Sequence, residues 1–146
     1  MRGNQTNGRG WHVLAQREAP VGGRDLWAAL LDKTEYPENY SERVSGAEVI
    51  DHDARTVVRR TWVNDSGPCI EWVRHEVRNR RVECTRSGQG FRRAQALVDT
   101  PTGRMLVYEV DDRELAAHEG GVNEQYAEEV LDRILARARN LTMPTS

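Results

Sequence analysis

The spacing of apolar positions changes along this chain and divides it into elements. Residues 11–21 (WHVLAQREAPV) alternate as a strand does, with Val13 and Ala15 on one face, and the run ends near Pro20. Residues 22–33 (GGRDLWAALLDK) place Leu26, Trp27, Leu30 and Leu31 at helical spacing, with Asp25 in the first turn. Tyr36, Pro37 and Tyr40 mark a break and a second short helical turn reaching about Arg43. From Val44 to Val110 the period falls to two. Strands are predicted over 46–51, 55–63, 69–77, 80–86, 91–99 and 104–111, separated by stretches such as Asn64-Asp65-Ser66-Gly67-Pro68 and Ser87-Gly88-Gln89-Gly90. Connections of hairpin length make neighbouring strands antiparallel. Residues 112–121 (DRELAAHEGG) read as a short charged loop. The period then returns to helical over 122–141. There Val122, Tyr126, Val130, Leu131, Ile134, Leu135, Ala138 and Leu141 form one apolar stripe, with acids in the first half and arginines in the second, as the helix dipole favours.

One strand, a helical segment, six strands and a long amphipathic helix make an α+β chain, with an antiparallel sheet covering its apolar face with the terminal helix. Its 146 residues suit one domain. Residues 1–10 are expected to be a disordered leader, 11–141 the domain, and 142–146 a flexible tail.

Composition narrows the function classes. The 21 basic residues are outnumbered by 23 acidic ones, for a net charge of -2, which argues against a dedicated nucleic-acid binder. No apolar run approaches the roughly 18 residues of a membrane helix, and the first ten residues contain no apolar signal region. Two cysteines, Cys69 and Cys84, do not make a disulfide framework, so a reduced cytoplasmic protein is expected, monomeric or homodimeric. No His or Cys pair has metal-ligand spacing, and no cofactor is implied. Arg occurs 20 times and Lys once, which a GC-rich genome explains. Arg92-Arg93 and the Arg78, Arg80 and Arg81 group read as solvated surface patches.

The element order, DLWAALL (25–31), the Tyr36-Pro37 break, VSGAEV (44–49), Arg60 in VVRRTWV, Glu71 in CIEWVRHEV and the strand RVECT together resemble the SRPBCC superfamily. This superfamily comprises the START and birch-pollen-allergen-like helix-grip proteins, and the chain looks most like its AtaL-like family. The resemblance covers roughly residues 11–141. It implies a curved antiparallel sheet wrapped around the last helix, short helices after the first strand, and an internal cavity for a hydrophobic small molecule. Some members cyclise or aromatise polyketide chains; others are carriers or partner-binding modules.

Strand parity sorts the candidate site residues. On one strand Glu71, Val73 and His75 share a face; on the preceding one Val58, Arg60 and Trp62 do. The resemblance favours both of these faces as the inner ones. Arg60 and Glu71 would then pair, either as a structural cross-strand ion pair or as a device that polarises a ligand oxygen. His75 and Tyr108 are candidate proton-transfer groups, and each is equally readable as a structural residue. Trp62, Val73, Leu106 and Tyr126 are candidate ligand contacts. Tyr40 would flank the cavity mouth, and Trp27 would line the cavity or pack in the core. The expected activity is that of a cyclase or dehydratase acting on a polyketide-like or other largely apolar carbonyl compound. The alternatives are a non-catalytic carrier or sensor, or a protein-interaction module.

Overall fold

In the computed structural model, residues 10–142 are described; the leader call on 1–9 and the tail call on 143–146 lie outside them. Seven strands form one antiparallel sheet: β1 (His12–Glu18), β2 (Val44–His52), β3 (Thr56–Val63), β4 (Gly67–Glu76), β5 (Arg81–Arg86), β6 (Arg92–Thr100) and β7 (Gly103–Val110). From β2 to β7 each strand pairs with the next in sequence, and β1 pairs with β7, giving the order β1-β7-β6-β5-β4-β3-β2. The β1–β2 connection carries α1 (Gly23–Glu35) and a 3-10 turn at Pro37–Asn39. The long helix α3 (Glu124–Thr142) packs across α1, β1 and β7.

Each predicted strand and helix is present, with ends displaced by up to three residues, and the second helical turn, expected to reach about Arg43, stops at Asn39. The exception is 112–121, expected as a loop: residues Arg113–Gly120 form a helix, α2. Its start is capped by the Asp112 carboxylate, which accepts from the Leu115 amide at 3.0 Å, and it ends at Gly121 with φ 61°. Ala116 alone is buried on it, so the segment has too little apolar periodicity to announce a helix. The Asn123 side chain accepts from the Tyr126 amide at 2.9 Å, which starts α3 at Glu124 rather than Val122. Leu141, counted in the apolar stripe, is exposed at the frayed end.

The core lies between the sheet's inner face and the helices. Leu26, Ala29 and Leu30 of α1 meet Val130, Leu131, Ile134 and Ala138 of α3, with Val73, Leu97, Leu106 and Val110 from the strands. Cys69 and Cys84 are free, and burial pushes both thiols up in pKa.

Candidate functional site

Register decides which polar residues face inward. The β3–β4 turn spans 64–66, so Val63 opposes Gly67 and Arg59 opposes Glu71. Opposed residues share a face. The inner residues of β3 are therefore Val57, Arg59 and Thr61, and Arg60 and Trp62 point outward. This corrects the expectation for both. Arg60 is exposed and pairs with Glu48 of β2 at 3.0 Å, and Trp62 is 38% exposed. The Glu71 face was assigned correctly: Glu71 and Val73 are buried and His75 is half-buried.

Glu71 is the hub of a cross-strand triad, with Arg59 opposite it on β3 and Arg86 opposite it on β5. Its Oε1 accepts from Arg59 Nε and from Thr61 Oγ1, each at 2.8 Å, with Arg59 Nη2 in ion-pair contact at 2.7 Å. Its Oε2 accepts from Arg86 Nε at 2.8 Å. Burial works to raise the carboxyl pKa, but the charges of Arg59 and Arg86 and the Thr61 hydrogen bond outweigh it and hold the group well below the usual carboxylate range. Arg59 Nη1 also donates to the Thr34 and Lys33 carbonyls at 2.6 and 3.2 Å, closing the C-terminal end of α1.

Beside the triad is a cavity of 30 Å³. Its wall includes Lys33, Arg59, Arg86, Arg93, Glu71, Tyr108 and Tyr126. Arg93, expected on a surface patch with Arg92, is 6% exposed. It opposes Cys84 of β5 and lies on the inner face, while Arg92 faces out to Asp111. Arg93 Nη2 donates to Gln89 Oε1, its guanidinium lies 4.9 Å from the Phe91 ring centre, and its Nε is buried without a partner. Lys33, the chain's one lysine, makes no hydrogen bond or ion pair through its ammonium among the described residues. Burial and repulsion from Arg59 lower its pKa to about 8. Tyr108 is buried, and burial pushes its phenol well above the usual range, so it stays protonated.

Tyr126 meets the Tyr108 ring edge-to-face at 6.3 Å, and its hydroxyl pairs with Ser41 Oγ at 2.8 Å. The same tyrosine lines an outer pocket of 210 Å³ with Glu42, Arg43, Asn123, Gln125 and Glu129. The Arg43 guanidinium stacks 4.0 Å from its ring centre. Tyr126 thus separates the inner cavity from the outer pocket.

Of the residues singled out by sequence, the cavity brings together Glu71, Tyr108 and Tyr126. Val73 and Leu106 are buried in the core, and Trp27 packs against it half-buried. Tyr40 is buried rather than at a mouth and donates to Asp32 Oδ2 at 2.7 Å. His75 pairs through Nε2 with Thr34 Oγ1 at 2.8 Å and borders a separate surface cleft of 590 Å³ with Arg55, Arg74 and Arg78. Burial and the Arg59 charge lower its pKa, so the ring is neutral at pH 7. Sequence reasoning missed Arg59, Arg86, Arg93, Thr61 and Lys33. The signal for Arg59 was available in the turn: a three-residue 64–66 connection puts odd residues opposite odd ones, and Arg59 beside Glu71.

By sequence, the chain matches no family model and no curated protein. Solved structures are matched over nearly its whole length. The ZhuI aromatase/cyclase from Streptomyces sp. R1128 superposes with TM-score 0.68 at 13% identity, over 91% of this chain and 96% of that one. The protein Ara h 8.0201 superposes with TM-score 0.61 at 14% identity, over 90% and 99% of the two chains. The chain has the helix-grip fold. The helix grip is the architecture that the SRPBCC resemblance implied, a curved sheet closed by the C-terminal helix. The di-domain aromatase/cyclase StfQ of the steffimycin biosynthetic pathway shares it, with TM-score 0.65 at 9% identity over 91% of this chain and 51% of its own.

Proposed function

We propose that this protein is a small-molecule-binding enzyme of the cyclase or dehydratase type. Its substrate is a polyketide-like or other largely apolar carbonyl compound. The observation that carries this reading is the cavity between sheet and α3, which presents Arg86, Arg93 and the protonated Tyr108 to a single small space. Cationic donors beside the carbonyl stabilise charge developing on its oxygen, and a phenol kept protonated at neutral pH donates a hydrogen bond to it. Resemblance in fold to two aromatase/cyclases supports the substrate class. The AtaL-like assignment rests on the sequence resemblance.

The roles differ from those expected. Glu71 has both oxygens engaged by the Arg59, Thr61 and Arg86 side chains and acts as the scaffold that holds Arg59 and Arg86. Polarisation falls to Arg86, Arg93 and the hydrogen-bond-donating Tyr108 rather than to Arg60 and His75. The inner cavity admits one small polar group, so the reacting carbonyl enters it while the remaining substrate occupies the outer pocket past Tyr126.

Native mass spectrometry of the purified protein is expected to reveal a co-purifying apolar carbonyl compound. With that compound or a poly-β-ketone analogue as substrate, Tyr108→Phe and Arg93→Ala are expected to lower kcat by about 10²-fold or more. A second reading, a non-catalytic carrier or sensor, is favoured by the small closed space beside the saturated triad. Variants that alter binding and leave turnover unchanged would establish it in place of the enzyme.

A further inference from the structure

The walls of the inner cavity are out of electrical balance. Lys33, Arg59, Arg86 and Arg93 face it with one carboxylate, Glu71, an excess of three positive charges. Arg59 is consumed by Glu71 and the α1 carbonyls. Arg86 spends only its Nε on Glu71, and among the described residues its terminal nitrogens make no other hydrogen bond. Arg93 keeps an unpartnered, buried Nε, and the Lys33 ammonium has no hydrogen-bond partner among the described residues. Arg93 is buried, with Arg86 and Lys33 part-buried beside it; a buried cation without counter-charge is costly, and further cations gathered with it around one space suit an anion.

We propose that the inner cavity binds the carboxylate group of a small-molecule ligand through Arg86, Arg93 and Lys33. The inference rests on the small-molecule reading above: the carboxylate takes the place assigned there to the substrate's carbonyl, so a carboxylate ligand and the substrate exclude one another. Its 30 Å³ has room for one small polar group and leaves the ligand body to pass Tyr126 into the outer 210 Å³. The Tyr108 hydroxyl, held protonated, is a further neutral donor to it. The groups that set the charge on Lys33 are Arg59 and Arg93, which repel it, and Glu71 and Cys84, which favour it. A bound carboxylate adds to the second set, so it raises the Lys33 pKa above its unliganded value of about 8.

Because Lys33 is the only lysine, protein made with ¹³C-lysine gives one side-chain Cε signal from the full chain. Titration with propionate and benzoate is expected to move that signal saturably and raise its pH midpoint. Propionamide and benzamide, their uncharged counterparts, are expected to leave it in place. Arg93→Gln should weaken the carboxylate response at least tenfold, and Arg93→Lys should restore part of it. Should Arg93→Gln fail to fold by circular dichroism, Arg86→Gln gives the same comparison. Equal saturation by amides and carboxylates overturns the carboxylate assignment and leaves the small-molecule cavity standing. Response to inorganic phosphate with the carboxylates silent overturns it also, as does a signal that no probe moves.

Discussion

Two arginines one position apart carry very different weights. Arg59 is buried against Glu71 and the end of α1, and Arg60 stands in water beside Glu48. Breaking a buried pair leaves an uncompensated charge, whereas an exposed pair contributes little. Glu71→Ala is therefore expected to cost about 3–5 kcal/mol of unfolding free energy in urea titration. Arg60→Ala should cost no more than about 1 kcal/mol. The pH dependence follows from the same carboxylate. Its pKa is depressed in the folded state, so its contribution is present above the unfolded carboxylate pKa near 4.5 and is lost as pH falls further. The acid limb of the stability profile of Glu71→Gln should be flatter than that of the parent. Lys33 gives a slope of the same sign at alkaline pH, because its folded pKa is depressed too. With a folded pKa of about 8 against 10.5 unfolded, stability rises between those pH values as the ammonium sheds its proton in the folded state.

Among the elements, α2 shows how a short helix is set by contacts at its ends. Asp112 caps its start, Gly121 turns it out in the left-handed region, and Arg43 donates to the Gly120 carbonyl at 3.0 Å. Gly120 lies against the buried Phe91 ring, where a Cβ would stand 2.7 Å from Phe91 Cζ. Gly120→Ala must shift that ring or the helix and is expected to cost about 1–3 kcal/mol, read as a lowered Tm in calorimetry. The strands were readable because alternation and turn residues fix their number and order. Their faces were read correctly on β4 and wrongly on β3, because alternation gives two equal choices and only the turn length, through register, selects one. Helix α2 was not readable: eight residues with a single buried side chain give no period to detect.

Over the whole molecule, the ends of the chain complete the grip together. Strand β1 closes on β7 across most of the sequence, and its Arg17 reaches Asp132 and Glu128 of α3 at 3.0 and 3.6 Å. These ion pairs are exposed and weak; the buried Leu14 and Ala15 of β1 supply the packing. Removing residues 1–18 strips that packing from β7 and α3 and leaves β7 as a sheet edge in place of β1. The truncated protein is expected to lose its cooperative thermal transition, and a Tm within a few degrees of the full chain would show that β1 is dispensable. The sequence by itself determined the order of elements, the antiparallel sheet, the long closing helix and the resemblance to helix-grip proteins, because these follow from periodicity and turn chemistry close along the chain. The tertiary structure alone decided that Arg59 rather than Arg60 meets Glu71, and that Arg86, Arg93 and the single lysine converge on one cavity. Those residues lie on α1, β3, β5 and β6, and only register and helix packing bring their charges to one place.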